Sequence, residues 1–345
     1  MKNKPFFTVG IPVYNTEKWV GECIDSILCQ GFDNFEIICV DDGSKDKSLC
    51  ILNSYAAKDA RIKVISRANG GPATARNAVL HAADGEYLFF IDSDDTMNTD
   101  VLQNAYDTII KNNNPDMLEV GITVKRFDEI KEYPHSSPAP EILGADISKD
   151  ERAVLMWLNG KLMPSVCRKF FKNSFITANG LSFDTRYIIS EDFDFSLRCY
   201  RCLDSVAYGS FSAITYFNPR EGSITSNISH KSYYTALCHE SELFRDTQFW
   251  NLSDATRKRV EQKRIEFIKD KLNYCFEQLK GDITREFALE RSAVIAQFIT
   301  PYIKEVPLPL NRNAILYLMC RIFGITKTVS FMYGYLKSKG VITDE

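Results

Sequence analysis

The sequence predicts an α/β fold: a mostly parallel sheet with helices on both faces, followed by a helical carboxy-terminal region. Three observations carry that prediction. The first 125 residues alternate between apolar runs, as strands buried on both faces require, and stretches of helical spacing. From Lys231 onward the pattern is helical. The charge also changes sign there: residues 1–230 hold 24 basic and 31 acidic residues, and residues 231–345 hold 18 and 14. The expected domains are therefore 1–230 and 231–345.

Each element follows from its residues. Residues 6–13 form the first apolar strand. Trp19, Val20, Cys23, Ile24, Ile27 and Leu28 recur at helical spacing. Residues 35–40 form a second strand ending at Asp41, Asp42, Gly43 and Ser44; a helix is expected over 48–58 and a strand over 62–65. Gly70, Gly71 and Pro72 open the next helix, with proline near the first turn, where its missing N–H costs nothing. Residues 87–91 form a fourth strand, ending at Asp92, Ser93, Asp94 and Asp95. Alternation at this spacing means βαβ units. Residues 125–183 are less regular: a loop at 133–140, a short helix near 152–158 and a mixed pattern over 165–176. Ser190, Glu191 and Asp192 begin a helix reaching about Cys202, and Leu308, Pro309 and Leu310 break the helical tail.

Composition removes several function classes. A chain of 345 residues, 45% apolar and 25% charged, has globular proportions, not those of a disordered, collagenous or coiled-coil protein. Lys+Arg 42 against Asp+Glu 45 argues against a dedicated nucleic-acid binder. The 10 cysteines are scattered through hydrophobic runs, where free cysteine acts as a small apolar residue, and the Cys199–Cys202 pair has no second pair with which to hold zinc. The amino-terminal apolar stretch is broken by Pro12 after six residues, which suits a strand and not a signal peptide. No run of 18 apolar residues occurs. The expectation is a soluble, reduced, cytoplasmic protein.

In open α/β sheets, ligands bind beyond the carboxyl ends of the strands. This chain places Tyr14 and Asn15 after the first strand, Asp41–Ser44 after the second and Asp92–Asp95 after the fourth. Taken singly, Asp41–Ser44 is an ordinary turn and Asp92–Asp95 an ordinary helix cap. Together they converge an aromatic ring and up to five carboxylates on one edge. Clustered carboxylates repel unless a cation neutralises them, and Mg²⁺ or Mn²⁺ is held by one or two carboxylates plus substrate phosphates. The constellation predicts a metal-bound diphosphate. The chain has no G-x-x-x-x-G-K-[ST], and no G-x-G-x-x-G follows the first strand, which excludes a P-loop NTPase and disfavours a dinucleotide oxidoreductase.

Ile11 to Asn15, Val40 to Ser44, Asn69 to Gly71, Ala75 to Asn77 and Asp92 to Asp95, in this order and spacing, resemble the inverting family 2 glycosyltransferases of GT-A (Rossmann-like) fold, of the bacterial cell-surface polysaccharide type. Ser190 to Asp192 and Arg220 to Ser223 extend the likeness to about residue 225. The resemblance implies a UDP-sugar donor. Tyr14 would lie against the base, with Pro12 and Asn15 shaping the pocket. Asp42 would accept the uracil N3–H, and Arg76 and Ser93 would belong to the nucleotide-sugar site. Asp94 would be the direct ligand of Mn²⁺ or Mg²⁺, with Asp92 nearer the ribose but part of the same metal pair. Asp192 would be the general base that takes the acceptor hydroxyl proton, and one base and one metal site suffice for inversion. The alternative, a nucleotide-sugar-binding scaffold without turnover, would be expected to have lost Asp94 or Asp192. A processive membrane synthase is disfavoured, since no spanning segment and no Q-x-x-R-W element is present.

The tail carries no catalytic motif. Arg257, Lys258, Arg259, Lys263, Arg264, Lys269 and Lys271 form a basic helical stripe, and residues 315–336 are apolar but interrupted by Arg321 and Lys327. If the acceptor is a glycan or a lipid-linked saccharide, this tail would hold the protein peripherally on the cytoplasmic face of the inner membrane; a homodimer contact fits equally well.

Overall fold

The computed structural model describes residues 4–127, 129–133, 147–217, 239, 242–277, 289, 292–293, 295–296, 316–317, 319–320 and 324–338. The chain separates into two compact units, Met1–Ile228 and Ser229–Glu345. In the first, the predicted elements appear in order: β1 (Phe7–Val13), α1 (Val20–Leu28), β2 (Phe35–Asp41), α2 (Ser48–Ala56), β3 (Ile62–Ser66), α3 (Pro72–Ala82) and β4 (Tyr87–Phe90). The chain continues through β5 (Thr96–Met97), α4 (Val101–Lys111), β6 (Met117–Arg126), β7 (Glu129–Tyr133), α5 (Lys149–Leu158), β8 (Lys169–Lys172), α6 (Asn173–Ala178), the predicted helix α7 (Glu191–Cys202) and β9 (Val206–Phe217).

All nine strands form one sheet in the order β3-β2-β1-β4-β8-β6-β9-β5, with β7 paired to β6. Strands β1 to β4 are parallel, and β8 runs antiparallel to both β4 and β6, which restores the original direction in β6 and in its parallel partner β9. Six strands thus point one way, and their carboxyl ends share one edge. Only the short strands β5, β7 and β8 oppose them. The sheet is mostly parallel, as predicted, and curls into a mixed second half.

β1 and β2 are buried almost throughout, which is why they read as unbroken apolar runs. Aromatic rings fill the middle of the sheet. Phe89 stacks on Phe170 at 4.4 Å, and Phe170 meets Phe7 at 5.4 Å. A second cluster lies under the amino end of α7, where Phe183 stacks on Phe195 at 4.1 Å and meets Phe90 edge-on at 5.5 Å. Such pairs are worth about 0.5–1.5 kcal/mol each beyond the area they bury. They fix α7 to the strand that carries Asp92.

In the second unit a helix spans Asp254–Glu277, over the basic stripe, and another spans Ile325–Ser338. Among the described residues no helix is long and apolar enough to cross a membrane. Of the loop expected over 133–140, Tyr133 ends strand β7 instead, and the rest, the Arg220–Ser223 segment and the break at Leu308, Pro309 and Leu310 lie outside the described residues.

Candidate functional site

The loops leaving β1 and β2 are stitched together by reciprocal hydrogen bonds. Asn15 N–H donates to Ser44 Oγ at 3.1 Å, and Lys45 N–H donates to Asn15 Oδ1 at 2.7 Å. Glu17 N–H donates to Asp46 and Lys47 N–H to Glu17, at 2.9 and 2.7 Å. Asn15 adopts φ 53°, a left-handed conformation that asparagine tolerates better than most residues. It turns the chain and leaves the Tyr14 ring 48% exposed at the rim, above half-buried Pro12. The third loop joins through Thr16, whose hydroxyl donates to Ser93 Oγ at 3.0 Å. Ser93 is itself buried, so its observed contact is a brace between two loops.

Asp42 is buried, and its carboxylate accepts the N–H groups of Gly70 (3.1 Å to each oxygen) and Gly71 (2.7 Å), with Arg67 Nε at 3.4 Å. It therefore fixes the glycine turn that opens α3. Gly43 must be glycine: its φ is +77°, and a Cβ there would meet Asn69 N at 2.9 Å. The neighbouring acids are structural. Asp41 accepts the Ser44 N–H, and Asp95, buried, accepts the Phe217 N–H at 3.2 Å and ties the acidic loop to β9.

Arg76, on α3, joins the two halves of the site. It is buried; its Nη2 donates to Asp92 Oδ1 at 2.9 Å and its Nη1 to Glu191 Oε1 at 2.6 Å, while the guanidinium lies 5.7 Å from the Phe183 ring. Burial works against this charge, yet Asp92 and Glu191 hold its pKa above the ordinary arginine value. Burial pushes the Glu191 carboxyl up, Arg76 opposes the rise and the Asp192 charge adds to it. The thiol of Cys167, also buried, is raised by burial and by Asp92, and Arg76 opposes the rise. Asn77, the next residue on α3, exchanges two hydrogen bonds with the Phe183 backbone at 2.9 and 2.8 Å. The Ala75–Arg76–Asn77 segment thus clamps the chain that leads into α7.

Asp192 sits in the first turn of α7, half-buried, and its Oδ1 accepts the Phe193 N–H at 2.7 Å. The bland expectation for Ser190 is a side-chain cap. Instead it makes no cap hydrogen bond and takes φ 74°, and this sparsely populated conformation turns the chain so that Glu191 points to Arg76. The structure thus brings Arg76, Asp92, Ser93, Asp94 and Asp192 to one end of the sheet. Sequence reasoning missed Glu191 as the partner of Arg76; the two residues are 115 positions apart, and no local signal couples them.

The acidic loop suits a hard divalent cation in the presence of a ligand that supplies further oxygens. Asp92 has one oxygen on Arg76 and a side chain 41% exposed, and Asp94 is half-buried beside it. Among the described residues no group of three or more His, Cys, Asp or Glu side chains is placed to hold a metal alone. Two carboxylates that share the remaining positions with a diphosphate match the coordination habits of Mg²⁺ and Mn²⁺.

Comparison with known proteins bears on the family and the fold. Residues 8–176 match the family model for Glycosyl transferase family 2. Over 236 residues the chain is 31% identical to the poly(ribitol-phosphate) beta-glucosyltransferase of Bacillus spizizenii, which covers 67% of this chain and 35% of that one. It spans between 35% and 56% of the length of the first curated relatives it matches. Among solved structures, residues 1–349 of Staphylococcus aureus TarS in complex with UDP-GlcNAc superpose with a TM-score of 0.63 at 22% identity, covering 97% of this chain and 92% of that one. The mannosyltransferase PcManGT from Pyrobaculum calidifontis, in complex with GDP-Man and Mn²⁺, superposes with a TM-score of 0.52 at 15% identity, covering 99% and 87%. The fold is GT-A.

Proposed function

We infer, for a chain whose residues 8–176 are a family 2 glycosyltransferase domain, that it transfers one sugar from a UDP-sugar to a hydroxyl of a glycan acceptor, with inversion. The observation that carries this reading is the Arg76 bridge. It joins Asp92 in the acidic loop after β4 to Glu191 at the head of α7, the residue next to the proposed base Asp192. A scaffold that only bound nucleotide would need no second carboxylate at this position.

Asp192 accepts the proton of the attacking hydroxyl as the oxygen bonds to the anomeric carbon and the bond to the diphosphate breaks. Its carboxylate is oriented by the Phe193 N–H. Arg76 holds Asp92 and neutralises part of the acidic loop before any ligand arrives. Asp94, with Asp92, would hold Mn²⁺ or Mg²⁺, which supplies positive charge to the departing diphosphate. Tyr14 offers its exposed ring as a face for the base. Asp42 is held in place by Gly70 and Gly71, and its carboxylate has acceptor capacity left for an imide N–H.

By analogy with the relative named for poly(ribitol-phosphate), the acceptor is a polymer of the cell surface; the reaction would then run at the cytoplasmic side of the membrane, with residues 231–345 as a membrane-surface or self-association unit. Calorimetry tests the donor assignment. In Mn²⁺, UDP should bind more tightly than GDP or CDP, because only uracil combines an N3–H for Asp42 with a single ring for the Tyr14 face. Equal or tighter binding of GDP removes it.

A further inference from the structure

A second cleft of about 630 Å³ opens along β5, β6 and β9, within the range of roughly 300–1,000 Å³ usual for ligand pockets. Asn98, Thr123, Glu132, Ser210, Phe211 and Thr215 line it. We propose that it is a subsite for an uncharged, hydroxyl-rich saccharide of the acceptor, a proposal that rests on the glycosyltransferase reading and names its substrate class.

Three observations support it. The first is position. β5 runs antiparallel to β9, with Thr96 at Thr215 and Met97 at Ile214, so the cleft extends along these strands from a start next to the acidic loop. Asn98 is four residues beyond Asp94, at most about 14 Å of extended chain. Asp95 closes the distance further through its bond to the Phe217 N–H at the end of β9.

The second is the lining. Thr123 pairs with Glu132 on one side and with Thr215 on the other, which sets one carboxylate and two hydroxyls in a row across three strands, on one face. The Asn98 amide braces this row: Thr215 Oγ1 donates to Asn98 Oδ1 at 2.7 Å, and Asn98 Nδ2 donates to the Ser212 carbonyl at 2.9 Å and lies 3.4 Å from Thr123 Oγ1. The row is preorganised before a ligand arrives. Hydroxyls that both donate and accept match sugar hydroxyls, which do the same, and Phe211 adds an apolar face for a pyranose ring.

The third is charge. Glu132 is the one ionisable side chain among the described lining residues. A carboxylate accepts hydrogen bonds from sugar hydroxyls but repels phosphodiesters, so a neutral saccharide is favoured over a polyol phosphate.

The test applies the full chain, with UDP and Mn²⁺, to immobilised neutral gluco- and galacto-oligosaccharides and to a ribitol-phosphate oligomer. The expected result is capture by neutral saccharides, with an affinity loss of about tenfold in Glu132→Ala and again in Thr123→Val, and an unchanged affinity for UDP. Glu132 stands at an exposed strand position, so Glu132→Gln keeps the fold and serves as the milder variant. Capture insensitive to these substitutions, capture by the ribitol phosphate alone, or no capture by protein that binds UDP overturns the subsite and leaves the donor reading intact. Failure to bind UDP removes the donor reading, and the subsite with it.

Discussion

Asp192→Asn is expected to bind UDP-sugar as the wild type does and to transfer it roughly two to four orders of magnitude more slowly, the usual scale for loss of a general base. The substitution removes a charge but keeps the shape. Asparagine can still accept the Phe193 N–H, so the first turn of α7 stays in place. Arg76 bonds Asp92 and Glu191, not Asp192, so the nucleotide side is untouched. Glu191→Gln is the informative contrast. It takes the charge from a buried pair whose side chains are 8% and 7% exposed, and leaves Arg76 with Asp92 alone. Its main cost should be stability, about 3 kcal/mol for breaking a buried pair, read as a lower Tm, with a smaller fall in kcat than Asp192→Asn. A slow Glu191→Gln beside a fast Asp192→Asn would mean that the base is the other carboxylate.

Asp94→Ala should lower metal-dependent turnover by about three orders of magnitude and weaken UDP binding in Mn²⁺, because the diphosphate loses its counter-ion. Asp95→Ala, one residue on, should act differently. Asp95 is buried on the Phe217 N–H, so its loss strands that donor and costs stability, about 1–3 kcal/mol. The pair separates a ligand role from a structural one within one loop. If EDTA left the wild-type rate unchanged, the metal role would be wrong whatever the variants did.

The half of the sheet made by β1 to β4 was legible because strands buried on both faces are continuous apolar runs, and their acidic ends stand out against them. The other half hid its strands for physical reasons. β5 is two residues long, and β7 is exposed at every position, so neither has a hydrophobic run to read. β8 begins at Lys169, a fully buried lysine whose Nζ donates to the Met163 and Ser165 carbonyls; a charged residue in a core strand is visible only once those partners are in place. The site divides in the same way. Asp92 and Asp94 could be placed from a strand end, and Arg76 only through the family resemblance. The Arg76–Glu191 pair, the Thr16–Ser93 brace and the hold of Asp42 on Gly70 and Gly71 depend on side-chain direction across loops, which linear spacing does not encode.

The Arg76-bridged cleft is proposed to move a sugar from UDP with inversion. The most direct measurement incubates the protein with a panel of UDP-sugars, Mn²⁺ and saccharide acceptors, follows UDP release and reads the anomeric configuration of the product by NMR. Release is expected with at least one α-linked UDP-sugar, with dependence on Mn²⁺ or Mg²⁺ and a β-linked product. Release with retention of the α configuration, or no acceptor-dependent release across the panel, would rule out inverting transfer from UDP in this cleft.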